Sequence, residues 1–168
     1  VGVADPAVLP HLERILVNEA IPVFNPDGRP LSRTPLFVFL KTLHVLMQQP
    51  SFLRAAAFLR LPDAWAWAKG EDEQFTSTRL LAGLDEIHKN HLPASLEDAV
   101  RLHFDGDRIQ NRIVARTALK RLAEALRTLE RERLSRGLAG FLNAVFASRE
   151  FREGNPIDKM YLETARSF

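Results

Sequence analysis

The sequence predicts a mainly helical protein, in which a bundle-like helical domain follows a short N-terminal strand–helix–strand stub. Three observations predict this class. Apolar residues recur at helical spacing along most of the 168-residue chain. Residues that favour helix starts, such as Ser, Thr or Asp ahead of Pro or of an acid, stand before several of these runs. Short apolar runs that are typical of strands occur near the N-terminus.

The first predicted domain, residues 1–31, is the strand–helix–strand stub. Val1-Gly2-Val3 is a short apolar run, and Asp5-Pro6 then supplies an N-cap and a proline for the first helical position. This helix is expected to end near Asn18, and Ile21-Pro22-Val23-Phe24 is the second predicted strand. Such a connection normally places its two strands parallel in one sheet. Because two strands alone are marginal, further strands are expected elsewhere in a larger protein.

The second predicted domain, residues 32–168, is a succession of helices. Thr34-Pro35 supplies the cap and first position of one helix, and Ser95 with Asp98 resembles a capping box. Ser77 is expected to cap another helix, and Asp105-Gly106-Asp107 to break the chain before the longest one. The predicted helices are 35–47, 52–61, 64–69, 77–90, a short one from 95, a long one over 108–136, and a last one that Asn155-Pro156 opens.

Composition limits the classes of protein that the chain can belong to. It contains no cysteine, which excludes disulfides and thiolate metal sites. No apolar run approaches the roughly 18 residues that a membrane-spanning helix needs, so a cytoplasmic protein without membrane contact is expected. The net charge is only +2, although the isoelectric point is near 9.3. The chain begins at Val1 rather than Met, and we therefore expect it to be part of a larger protein.

The sequence contains no recognisable catalytic motif. A phosphate cradle needs closely spaced glycines between a strand and a helix, whereas Gly28, Gly70 and Gly106 are isolated. The acid-x-Lys pattern of one class of metal-dependent nucleases fails as well, since Trp67 stands two residues before Lys69. We therefore predict no catalytic residue, no cofactor site and no metal site in this chain.

Two histidines near a helix end, His88 and His91, have a spacing that suits two zinc ligands. Two further ligands would have to converge on them, and no cysteine is present. The favoured interpretation is that they are ordinary residues near the helix C-terminus, where positive charge interacts well with the helix dipole.

Two tryptophans, Trp65 and Trp67, lie near Phe52 and Phe58 in the sequence. They could form a platform on which nucleic-acid bases stack, but core packing is the favoured interpretation. Residues two apart lie on different faces of a helix, so one tryptophan is expected to be buried and the other to lie near an edge.

The long predicted helix carries the one charge pattern that suggests a binding surface. With 100° per residue, its basic residues fall in an arc of about 100°, roughly opposite an apolar set. The basic set is Arg112, Arg116, Lys120, Arg127 and Arg131. The apolar set is Val114, Ala118, Leu122, Leu126 and Leu129. The basic arc is either a surface that follows a phosphate backbone without reading base sequence, or the solvated side of a bundle helix.

The stretch from Val1 to Pro62 resembles the opening of the second motor lobe of UvrD/Rep-type helicases. It is more similar to the degenerate version of that lobe in AddB-like subunits of bacterial helicase–nuclease complexes. The similarity lies in the run Leu12-Glu13-Arg14-Ile15-Leu16, in the strand Ile21-Pro22-Val23-Phe24 and in the turn Asp27-Gly28. The runs NPDGRPLSRTPLF from Asn25 and FLRAAAFLRLP from Phe52 are similar to the AddB-like group as well.

One departure from the helicase pattern indicates lost ATP chemistry. Alignment on Leu12-Glu13 places Ala4 where working helicases have an arginine that contacts nucleotide phosphate. The resemblance therefore implies an inactivated motor lobe with its helical insertion, which neither binds nor hydrolyses ATP. The parent would be an ATP-dependent nuclease or helicase-like subunit acting in double-strand break repair, with other domains, a partner subunit and DNA as its partners.

These observations lead to two hypotheses. The first is a non-catalytic scaffold that guides DNA, with the basic arc of the long helix as its contact surface. The second is a helical protein–protein interaction module of an unrelated protein, in which residues 62–67 and the Phe-rich segment 141–146 supply an apolar docking face.

Overall fold

The computed structural model describes residues 8–19, 21, 34–70, 72, 75–104, 109–131, 134–146, 151–152 and 154–166. These residues are predominantly helical, as the sequence predicts, and no strand occurs among them. The helices are α1 (Leu9–Asn18), α2 (Pro35–Gln48), α3 (Phe52–Leu59), α4 (Pro62–Lys69), α5 (Ser77–His91), α6 (Leu96–Arg101), α7 (Gln110–Arg131), α8 (Leu134–Phe146) and α9 (Pro156–Arg166).

The chain divides into two compact units, Val1–Arg33 and Thr34–Phe168. The first contains α1, which lies where the stub helix is predicted. The predicted strand at 1–3 lies outside the described residues, as do all of the predicted strand at 21–24 except Ile21, the position of Ala4, and the turns at 27–28 and 105–107. The strand–helix–strand arrangement and the domain boundary after residue 31 therefore stay predictions.

Several helix starts are confirmed, because side chains close in sequence cap them. The Thr34 side chain accepts a hydrogen bond from the Phe37 amide, with Pro35 at the first position of α2. Ser95 and Asp98 form the reciprocal capping box of α6. One cap differs from the prediction. Thr76, not Ser77, caps α5 through a hydrogen bond from the Arg79 amide, because Thr76 has the extended backbone that a cap requires.

The long helix predicted over 108–136 is confirmed for residues 110–131, which form α7. Residues 108 and 132–133 lie outside the described residues, and α8 begins at Leu134. Gly137 lies buried within α8. The segment 141–146 belongs to the same helix. Apolar residues recur at helical spacing in both helices, so periodicity alone does not reveal that α8 packs against α4.

The aromatic residues of α2, α3, α4 and α8 form one cluster in the core of the second unit. The Phe141 ring lies 5.2 Å from that of Trp67 and 6.3 Å from that of Phe39, and Phe146 lies 5.5 Å from Phe39. Trp65 and Trp67 are both half-buried against the core, so the expectation of one buried and one edge tryptophan is wrong. Trp67, Phe58 and Phe141, which the sequence offers for base stacking or for docking, thus belong to this cluster, whereas Phe52 stacks on His88.

The most extensive helix pairing joins α5 to α7. The helices approach so closely at Gly83 that a Cβ atom there would lie 2.0 Å from the Asn111 carbonyl oxygen and 2.9 Å from the Ala115 Cβ. Glycine is therefore required at position 83 for its size rather than for its backbone freedom. The opposing side of α7 is buried, and it includes the whole apolar set that helical periodicity predicts: Val114, Ala118, Leu122, Leu126 and Leu129.

We predict that Gly83→Ala destabilises the protein by about 1–3 kcal/mol or more, because the methyl group forces α5 away from the backbone of α7. Gly140→Ala is the matched control, since it lies within α8 and a Cβ there meets nothing within 4 Å. That control should raise stability by about 0.5–1 kcal/mol through helix propensity. Urea unfolding of both variants measures the difference, and equal stabilities would contradict the close approach.

We also predict that Leu122→Ala and Leu126→Ala each cost about 2–5 kcal/mol, because both side chains are buried in the core that α7 forms with its neighbours. Thermal unfolding followed by circular dichroism provides the measurement. Leu81→Ala is a suitable control, since Leu81 is 39% exposed on α5. An unchanged melting temperature for Leu122→Ala would show that α7 presents a different side to the core.

Candidate nucleic-acid interface

The five cations of the predicted interface all belong to α7, and those towards its end lie on the side away from its buried residues. Lys120, Arg127 and Arg131 are exposed, whereas Arg112 and Arg116 are half-buried. The set therefore has two parts. Neighbouring segments cover the part near the start of α7, and the part towards its end is open to solvent.

Arg112 is bound to α5. Its Nε donates to Glu86 Oε2 at 3.0 Å, and the Asn111 side-chain amide donates to the other oxygen of the same carboxylate at 3.1 Å. The Arg112 side chain is only 20% exposed. Glu86 therefore neutralises this cation and ties the first turn of α7 to α5.

Arg116 holds the segment that links α6 to α7. Its Nη1 donates to the Leu102 carbonyl at 2.8 Å, just after the end of α6, where carbonyl groups lack helical partners. Its guanidinium lies over the Phe104 ring at 5.2 Å, and His91 packs 5.8 Å from that ring. The contacts combine a charge-assisted hydrogen bond with a cation–π interaction. Arg116 is thus a structural residue.

Arg127 reaches α6 and shares a carboxylate with Arg101. Arg127 Nη2 donates to Glu97 Oε1 at 2.6 Å, and Arg101 Nη2 donates to Glu97 Oε2 at 3.1 Å. The hydrogen bond and charge of Arg127 lower the pKa of Glu97, and those of Glu97 raise the pKa of Arg127. The interaction is thus present above the ordinary pKa of a glutamate and is lost as pH falls through the lower folded-state pKa.

The arrangement includes three residues that sequence reasoning missed. Glu86 and Glu97 meet the basic arc from α5 and α6, and Arg101 adds a cation from α6. No sequence signal pairs Glu86 with Arg112 or Glu97 with Arg127, because these partners are 26 and 30 residues apart. The spacing of Glu97 and Arg101, four residues apart on one helix, is the exception.

His88 and His91, whose spacing would suit two zinc ligands, contact different aromatic rings. His88 stacks on Phe52 with 5.9 Å between ring centres, and His91 packs against Phe104. Among the described residues, no group of three or more His, Asp or Glu side chains is arranged to hold a metal ion. No helix within the described ranges combines the length and apolar character needed to cross a membrane.

A second surface feature lies at the end of α5. Leu92 has a left-handed backbone with φ 43° and is 70% exposed. Leu53, which is 60% exposed, lies on a neighbouring segment, since the Phe52 amide donates to the Ala94 carbonyl at 3.3 Å. A left-handed conformation is strained for a bulky residue, so Leu92 combines backbone strain with an exposed apolar side chain.

Comparison of the chain with protein-family models, with curated proteins and with solved structures finds no match. The resemblance to AddB-like subunits therefore stays a prediction.

We predict that Leu92→Gly raises stability by about 1 kcal/mol, because glycine adopts the left-handed conformation without a steric penalty and little buried apolar area is lost. Leu92→Ala is the matched control, since it shortens the side chain but keeps the strain, and it should leave stability nearly unchanged. Chemical denaturation compares the two variants. A less stable Leu92→Gly protein would mean that this leucine is needed for packing.

Proposed function

We propose that the chain is a non-catalytic helical scaffold that contacts the sugar–phosphate backbone of DNA without reading base sequence. The observation that carries this proposal is the group of exposed cations Lys120, Arg127 and Arg131 on the side of α7 away from the core. Lys120 and Arg131 are exposed, and Arg127 is half exposed beside Glu97 of α6, so a polyanion can reach all three cations from solvent.

The spacing of these cations suits a backbone contact. Lys120 and Arg131 are eleven residues apart, which corresponds to about 16 Å along α7. One DNA strand carries a phosphate about every 3.4 Å of helix axis, so this length covers about five nucleotides. Long basic side chains reach phosphate oxygens and carry no sequence information. A few such contacts give binding of roughly 10⁻⁴ to 10⁻⁶ M at physiological salt.

The wider setting of this proposal comes from the resemblance to AddB-like subunits. In that setting the chain is part of a DNA-repair nuclease or helicase-like protein of the cytoplasm, acting in double-strand break repair. The helical unit then supports other domains and a partner subunit of a helicase–nuclease complex. Avidity from those parts strengthens a weak backbone contact.

A helical protein–protein interaction module is the second candidate function, and the exposed pair Leu53 and Leu92 favours it. The Phe-rich segment 141–146 does not favour it, because Phe141 is 8% exposed and packs against Phe39 and Trp67. The two functions differ in their response to salt. Backbone contacts weaken steeply as salt rises, whereas apolar docking does not.

We predict that changing Lys120, Arg127 and Arg131 together to Gln weakens DNA binding for all base sequences alike. The slope of log affinity against log salt concentration should become less negative for each lost contact, by about 0.7 on single strands and by about 0.9 on duplex. Fluorescence anisotropy with labelled oligonucleotides of unrelated sequences measures both quantities. Arg112 and Arg116 are excluded from this variant, because their contacts with Glu86 and Leu102 stabilise the fold.

The matched control removes the same charge from three other helices, through Lys41→Gln, Lys89→Gln and Arg136→Gln, all at exposed positions of α2, α5 and α8. Affinity should fall much less in this control, since only the net charge changes. If both triple variants lose affinity equally, the side of α7 is not the contact surface. Binding that is independent of salt would favour the second candidate.

A further inference from the structure

Two arginines from different helices converge on one exposed carboxylate. Arg127 of α7 and Arg101 of α6 each donate to a different oxygen of Glu97, at 2.6 and 3.1 Å. The side chains are 49% exposed for Glu97, 49% for Arg127 and 77% for Arg101. All three groups are therefore accessible from solvent.

The geometry around Glu97 matches the needs of a phosphodiester. A phosphodiester, like a carboxylate, presents two terminal oxygens that share one negative charge, and guanidinium groups bind both anions through the same N–H donors. Each Glu97 oxygen is held by a different arginine, which is how two guanidinium groups would hold the two terminal oxygens of one phosphate.

Replacement of the Glu97 carboxylate by a phosphate at these two arginines requires little free energy. Ion pairs between solvent-exposed side chains contribute little to stability, because water and salt screen the charges and ordered side chains lose entropy. The two ion pairs of Glu97 belong to this exposed class. The phosphate of a longer polyanion has an advantage over Glu97, since neighbouring phosphates contact further cations at the same time.

We propose that Arg101 and Arg127 form a phosphate-binding pair for the backbone of a nucleic acid, and that Glu97 occupies this pair when nucleic acid is absent. This inference rests on the proposed function and extends its surface from α7 to α6. Lys120 and Arg131 lie on the same side of α7 as Arg127, two turns before it and one turn after it, with the exposed Glu124 between Lys120 and Arg127. The pair is therefore continuous with two further exposed cations. Glu97 thereby weakens the binding of nucleic acid by competing for two of its contacts.

The test compares Glu97→Gln with the wild-type chain in binding to a labelled oligothymidylate and to a duplex of the same length. The variant should bind the single strand about three- to tenfold more tightly, because two guanidinium groups no longer have a competing carboxylate. Glu124→Gln is the matched control, since it removes one exposed negative charge from α7 and breaks neither ion pair of Glu97. Its gain in affinity should be clearly smaller. The duplex arm shows which form of nucleic acid the pair accommodates.

A second variant separates competition from general charge effects. In an Arg127→Gln background, Glu97→Gln should lose most of its gain, because one of the two released cations is absent. Equal gains for Glu97→Gln and Glu124→Gln, with normal wild-type binding, would overturn the phosphate pair and leave the proposed function standing. Absence of salt-dependent binding in both the wild type and Glu97→Gln would overturn the proposed function together with the pair. Far-UV circular dichroism of each variant verifies that α6 and the remaining helices are retained.

Discussion

The close approach of α5 and α7 at Gly83 determines which side of α7 can meet a ligand. With no side chain at this position, the backbone of α7 at Asn111 lies almost against α5. That contact orients α7, and the buried arc from Val114 to Leu129 follows from it. The cations occupy the remaining arc because charged side chains are rarely buried without partners. A change at Gly83 would therefore disturb the candidate interface as well as the core.

The same packing brings acids to the basic arc. Pairing of α5 with α7 places Glu86 beside Arg112, and packing of α6 on α7 places Glu97 beside Arg127. A helical-wheel projection of α7 alone shows a basic side, but in the folded unit acidic residues of α5 and α6 pair with part of that side. Two of the five cations serve the fold, one is shared with Glu97, and Lys120 and Arg131 are exposed. The tertiary structure therefore reduces the charge that this surface presents to a polyanion.

Sequence reasoning succeeded where the decisive interactions are local. The cap at Thr34, the capping box at Ser95 and the buried side of α7 depend on residues within a few positions of one another. Predictions from the sequence were wrong or incomplete where contacts between residues distant in sequence determine the structure. The packing of α8 against α4, the half-burial of both tryptophans of α4, and the acids that meet the basic arc all depend on which helices become neighbours. Apolar periodicity contains no information about those neighbours.

The contrast between Arg116 and Arg127 shows how a structural cation differs from one available for binding. Arg116 donates to the Leu102 carbonyl, just after the end of α6, and packs on the Phe104 ring. Removing Arg116 would therefore take a hydrogen-bond donor from that carbonyl and uncover the ring. Arg127 donates to Glu97, a half-exposed carboxylate that water can also solvate. Releasing Arg116 to a ligand would therefore disturb the link between α6 and α7, whereas releasing Arg127 would break an exposed ion pair that contributes little to stability. In the proposed function, a phosphate would therefore contact Arg127 and its exposed neighbours, and not the half-buried arginines near the start of α7.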